Sequence, residues 1–139
     1  KINKNYLESS LAELRDLFKE NYQNYTIMHF VVNRYSIDGV NCTSFDKEIH
    51  GSYMCVEAKF ICISNILIKE ITNVLEKYQI KIDRLFELEY INDFSEVENP
   101  DLSVVAHKIQ NGLNQFEITL VPKSSKKRGF FEKFFQLFS

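Results

Sequence analysis

The stretch from Met54 to Cys62 constrains the fold of this chain more than any other. Met54, Val56, Ala58, Phe60 and Cys62 fall on every second residue, while Tyr53, Glu57 and Lys59 occupy alternate positions. Side chains of a strand point to opposite faces with a period of two, so this run predicts a strand with one apolar and one wet face. Such a strand belongs in a sheet whose apolar side is covered by another layer. Residues 52–63 are read as this strand. Residues 26–37 are read as a second, rich in β-branched and aromatic side chains (Ile27, Phe30, Val31, Val32, Tyr35, Ile37) and closed by the turn signal Asp38-Gly39. A polar loop over residues 41–51 joins them.

The covering layers are expected to be helices. Leu7, Leu11, Leu14 and Phe18 lie on one face of a helix over residues 5–22. Ser64-Asn65 is a capping pair, and Leu67, Ile71, Val74 and Tyr78, widened by Ile68 and Leu75, predict a helix over residues 65–78 that contributes to the core. Ile80, Ile82 and Phe86 predict a strand over residues 79–88, followed by an acidic loop over 92–101. Asn99-Pro100 is expected to cap and open a helix carrying Leu102, Val105, Ala106 and Ile109, with Gly112 at a left-handed stop. Phe116, Ile118 and Leu120 predict a last strand, closed by Pro122. Helices beside a small mixed or antiparallel sheet make the expected class α+β. With 139 residues there is room for one modest core, assigned to a single domain over residues 1–122. The chain begins at Lys1 rather than Met, which suggests a processed or excerpted piece, and no signal-peptide pattern opens it.

Several chemistries lack a sequence basis. The four glycines (Gly39, Gly51, Gly112, Gly129) are too scattered for a phosphate-cradling loop, so neither ATP binding nor hydrolysis is expected. Cys42, Cys55 and Cys62 form no CxxC pair and read as free thiols. His29, His50 and His107 have no ligand-spaced neighbour. No catalytic, cofactor or metal residue is therefore assigned, and the chain is read as non-enzymatic. An enzyme would have to use His29 with Cys55 across two strands, or the acidic pair Glu96 and Glu98. No run of 18 apolar residues occurs, so no spanning helix is expected.

Charge is unevenly distributed. Residues 123–139 carry a net +4 while the whole chain carries −2, leaving −6 on the body. An acidic body argues against nucleic acid as a partner. Lys123 to Arg128 read as a basic linker before a short helix over residues 129–139. Phe130, Phe131, Phe134, Phe135, Leu137 and Phe138 cover an arc of about 160° on that helix, with Glu132, Lys133 and Gln136 opposite. Ten residues rise about 15 Å, half the hydrocarbon thickness, so this helix would lie in the interface rather than cross it. Lys126, Lys127 and Arg128 just before it add attraction to an anionic membrane surface. These nine residues, the three cations and the six apolar side chains, are the expected membrane-binding set. The alternative is a soluble homodimerisation domain whose last helix packs in the core or the interface.

The run Ile27-Met-His29-Phe-Val-Val-Asn-Arg-Tyr35-Ser-Ile37-Asp38-Gly39 resembles the start of subdomain 1C in the FtsA family of actin-like bacterial cell-division proteins. That subdomain follows a strand-helix-strand-strand plan, and residues 27–88 fit its order and lengths. Gly51 and Met54 match the last glycine and the apolar residue of the family's loop. Asp46 and Glu48 stand where the family has Pro and Gly. The ending Lys126-Lys127-Arg128-Gly129-Phe130-Phe131 is similar to the family's basic linker and membrane-targeting helix. The resemblance implies contacts with FtsA-type molecules and later division proteins at the cytoplasmic face of the inner membrane. The family's ATP-binding and FtsZ-binding parts have no counterpart here.

Overall fold

The computed structural model describes residues 2–45 and 50–118. Asp46 and Glu48, the last strand beyond Ile118, the linker 123–128 and the helix 129–139 with all nine expected membrane-binding residues lie outside the described residues. The described chain is α+β, as expected: α1 (Lys4–Asn21), β1 (Tyr25–Ile37), β2 (Val40–Cys42), β3 (Met54–Ser64), α2 (Asn65–Glu76), α3 (Leu88–Asp93) and α4 (Leu102–Gln110). The strands form an antiparallel sheet in the order β2-β1-β3.

The two long strands achieve their alternation differently. β3 is paired residue by residue without interruption, whereas β1 skips a partner at Met28 and at Asn33. Each skip is a β-bulge, which inserts one residue and shifts the phase of the strand. On one face the pairs are Phe30 with Phe60, Val32 with Ala58, Tyr35 with Val56 and Ile37 with Met54. On the other they are His29 with Ile61, Val31 with Lys59, Arg34 with Glu57 and Ser36 with Cys55. Without the first bulge, Ile27 would join His29 instead of the apolar face.

The apolar face packs under α1. Leu7 and Leu11 are fully buried against Phe30, Val32 and Tyr35, and Ile2, Phe45 and Ile118 close the cluster. Phe60 stacks on Phe30 at 4.5 Å and on Phe18 of α1 at 4.2 Å between ring centroids. Asn3 caps α1 by accepting from the Tyr6 amide at 2.9 Å. Gly51 bridges to Ile2, and a Cβ there would overlap the buried Ile37 side chain, so only glycine lets these segments approach so closely. The second face is covered by α3 and α4, where Tyr90, Ile91, Val105 and Ile109 pack against Val31, Ile61 and Phe86.

Five local expectations are corrected. The loop over 41–51 contains β2, because Asp38 and Gly39 both take positive φ (50° and 81°) and so turn β1 directly into a hairpin. Residues 79–88 do not form a strand. The Ile80 amide is used by the cap of α2, donating to the Leu75 carbonyl at 3.1 Å with Gln79 left-handed (φ 59°), and the segment then crosses the second sheet face. Residues 88–93 within and after it are helical. α4 is capped by Asp101 rather than Asn99, since the Asp101 carboxylate accepts from the Ser103 and Val104 amides. α2 buries no residue completely, with Leu67 46% and Val74 55% exposed, so its stripe is not part of either core. Of the segment expected as the last strand, the described residues show an isolated bridge between Glu117 and Val31, with the Ile118 amide donating to the Phe30 carbonyl at 2.7 Å. The left-handed stop at Gly112 is present, with φ 89°.

Candidate functional site

The bulge at Met28 turns His29 away from the α1 core and onto the second face. There it meets residues from three other segments. The His29 ring is 1% exposed and stacks on Tyr90 of α3 at 4.0 Å. Its Nδ1 lies 2.7 Å from Glu117 Oε1, and its Nε2 accepts the Glu87 backbone N–H at 3.1 Å. An acceptor Nε2 leaves Nδ1 as the nitrogen that carries the proton, so His29 donates to Glu117.

Glu117 is the hub. It is 5% exposed and takes three donors: His29 and Arg84 on Oε1, the latter at 3.0 Å, and the Tyr90 hydroxyl on Oε2 at 2.9 Å. The Tyr90 oxygen in turn accepts from Asn114 Nδ2 at 3.0 Å. Arg84 also lies over the Phe86 ring, 4.4 Å from its centroid. Burial pushes the Tyr90 hydroxyl well above its ordinary range; the Asn114 bond pulls it back and the Glu117 charge adds to the rise. Tyr90 therefore remains a donor at neutral pH. The Arg84 charge balances the buried Glu117 charge, and each polar group of the cluster has a partner, which is the condition for burying it at modest cost.

A carboxylate orienting an imidazole is half of a nucleophilic triad. The other half is absent from this arrangement, because the nitrogen that would activate a nucleophile faces a backbone amide instead of open space. The cluster acts as a staple: it ties residues 84–90 and 114–117 to the centre of β1.

The residues considered for an enzyme are not brought together. Cys55 is exposed opposite Ser36, seven residues along β1 from His29, which at the rise of a strand is about 23 Å. Glu96 and Glu98 are exposed in the connection between α3 and α4. Cys42, Cys55 and Cys62 stand as free thiols, and burial raises the Cys62 pKa. Among the described residues no group of three His, Cys, Asp or Glu side chains could hold a metal ion, and no helix is long and apolar enough to cross a membrane.

Glu117, Arg84, Tyr90 and Asn114 escaped the sequence reading. They are spread over a separation of 33 residues and share no motif, and three lie in segments without regular structure. The single available signal was His29 itself, a polar ring in the middle of an apolar strand. No family model, curated protein or solved structure matches the chain.

Proposed function

We propose that this chain is a non-enzymatic, membrane-tethered protein-interaction module of bacterial cell division, working at the cytoplasmic face of the inner membrane in the manner of the FtsA family it resembles. The observation that carries the reading is the sequence of residues 126–138, where three cations precede six apolar side chains on one helical arc. The body supports it in two ways. The buried polar cluster around Glu117 is turned inward and satisfied, as a staple would be. Among its exposed apolar side chains, Ile66, Leu67 and Val74 lie together on α2, a surface on which a partner protein can be held.

Membrane attachment in this reading has two parts. The aromatic arc inserts below the headgroups, and the cations add an attraction that salt screens. Phe134→Asp places a charge in the middle of the arc and is expected to abolish flotation with anionic vesicles at any salt concentration. Lys127→Glu with Arg128→Glu is expected to weaken flotation at low salt and to matter little at high salt. Equal flotation by the wild type and Phe134→Asp on anionic vesicles refutes the insertion model, and a wild type that does not float overturns the membrane reading in favour of the soluble homodimerisation domain.

A further inference from the structure

Among the described residues the sheet has a long edge with no strand on it. β3 pairs with β1 on one side, and among the described residues no strand pairs with its other side. Natural edge strands are blunted by bulges, prolines, short length or charges. β3 has eleven residues, no proline, no glycine and no bulge, since both irregularities of the ladder fall on β1. Its only charges are Glu57 and Lys59.

These two charges select a partner. If a second β3 pairs antiparallel with the first about a two-fold axis at Ala58, then Glu57 stands opposite the other copy's Lys59, and Lys59 opposite its Glu57. Opposite charges directly across a ladder stabilise it, and like charges destabilise it. On the apolar face the same register sets Val56 opposite Phe60 and Met54 opposite Cys62, side chains that are all part-exposed in one copy. Moving the axis to Lys59 or to Glu57 sets like charges against each other. Moving it by half a residue aligns the apolar face of one strand with the wet face of the other. One register satisfies both faces.

We infer that β3 is a self-pairing edge, and that two copies of this chain join through it into one continuous sheet about a two-fold axis. The inference rests on β3 alone and stands whether or not residues 126–138 bind membrane.

Sedimentation velocity on the full chain, without lipid or detergent, tests it. The wild type is expected to show a concentration-dependent monomer–dimer equilibrium. Lys59→Glu opposes Glu57 with a glutamate and Glu57→Lys opposes Lys59 with a lysine, so each is expected to raise the dimer Kd about tenfold or more. An equimolar mixture of the two variants restores both attractive pairs and is expected to dimerise like the wild type. Both positions are exposed, and circular dichroism checks that each variant keeps its fold. The inference is overturned if the wild type stays monomeric up to about 1 mM, well beyond a functional affinity. It is likewise overturned if the dimer is indifferent to the single reversals, or if the mixture behaves no better than its components. Indifference would locate any dimer on another surface, such as the last helix.

Discussion

The two faces of the sheet are held by different physics. Under α1, the contacts are apolar and without direction: Leu7, Leu11, Phe30 and Val32 are buried by area alone, and any side chain of similar volume would do nearly as well. Under α3, the centre is a directional network in which His29, Arg84, Tyr90 and Asn114 converge on or beside one carboxylate. The first face is robust to chemistry and sensitive to volume. The second tolerates little change of hydrogen-bonding capacity, because each buried donor left without an acceptor carries the full penalty of its lost hydration. The regular element, α1, lies on the first face, while the second is built from short helices and irregular segments that the network holds in place.

The largest effect should come from the first face. Phe30→Ala removes a ring stacked on Phe60 and is expected to cost about 3–5 kcal/mol in denaturant unfolding, shifting the whole cooperative transition to lower denaturant. A cost under about 1 kcal/mol would mean that this face is not the main store of stability.

Glu117→Ala should come next, at about 3 kcal/mol, because it strands the Arg84 charge, the His29 N–H and the Tyr90 hydroxyl together. Its signature is regional. Amide hydrogen exchange should accelerate in α3, α4 and residues 80–87 while α1 and the ladder between β1 and β3 stay protected. Uniform acceleration would erase the distinction between the two faces.

A smaller gain is expected from Gln79→Gly. Gln79 holds a left-handed φ of 59° at the stop of α2, a conformation that glycine adopts without strain. Stabilisation of about 0.5 kcal/mol, seen as a raised melting temperature, would sharpen the picture of α2 as an element held by its caps more than by a core.

The smallest effect concerns acid. Hydrogen bonds from Ser103 and from the Val104 and Ser103 amides hold the Asp101 carboxyl below its ordinary range. A depressed folded-state pKa contributes stability above the unfolded pKa and loses it as pH falls through the folded value. Below about pH 4 the wild type should therefore lose melting temperature more steeply than Asp101→Asn, whose side chain caps without titrating. Parallel slopes for the two proteins would remove α4 from the pH-sensitive part of the molecule.

Periodicity carried far on the first face. Leu7, Leu11 and Leu14 and the alternation from Met54 to Phe60 gave α1, β3 and their mutual packing, because each is a local pattern with a fixed geometric meaning. The same logic misread residues 79–88. Ile80 gives only its backbone amide to the cap of α2 and keeps its side chain half-exposed, while Phe86 meets His29, so unrelated surroundings imitated one alternating strand. The α2 stripe was legible as a helix face, yet its pattern could not say whether this chain would cover it. Asp101 took the cap from Asn99 because its carboxylate, and not the amide two residues earlier, reaches the first free amides of α4.

The amino-acid order alone determined the α+β class, the helical and strand character of α1, β1, β3, α2 and α4, and the turn at Asp38-Gly39, since propensity, period and left-handed positions act over a few residues. Only the tertiary structure decided where β1 bulges, which face His29 takes, and that Glu117, 88 residues away, would meet it. A bulge adds one residue to a ladder only when the partner strand is in place, and a buried carboxylate is stable only when all its donors arrive together. Both are conditions on distant segments at once, and no window of sequence contains them.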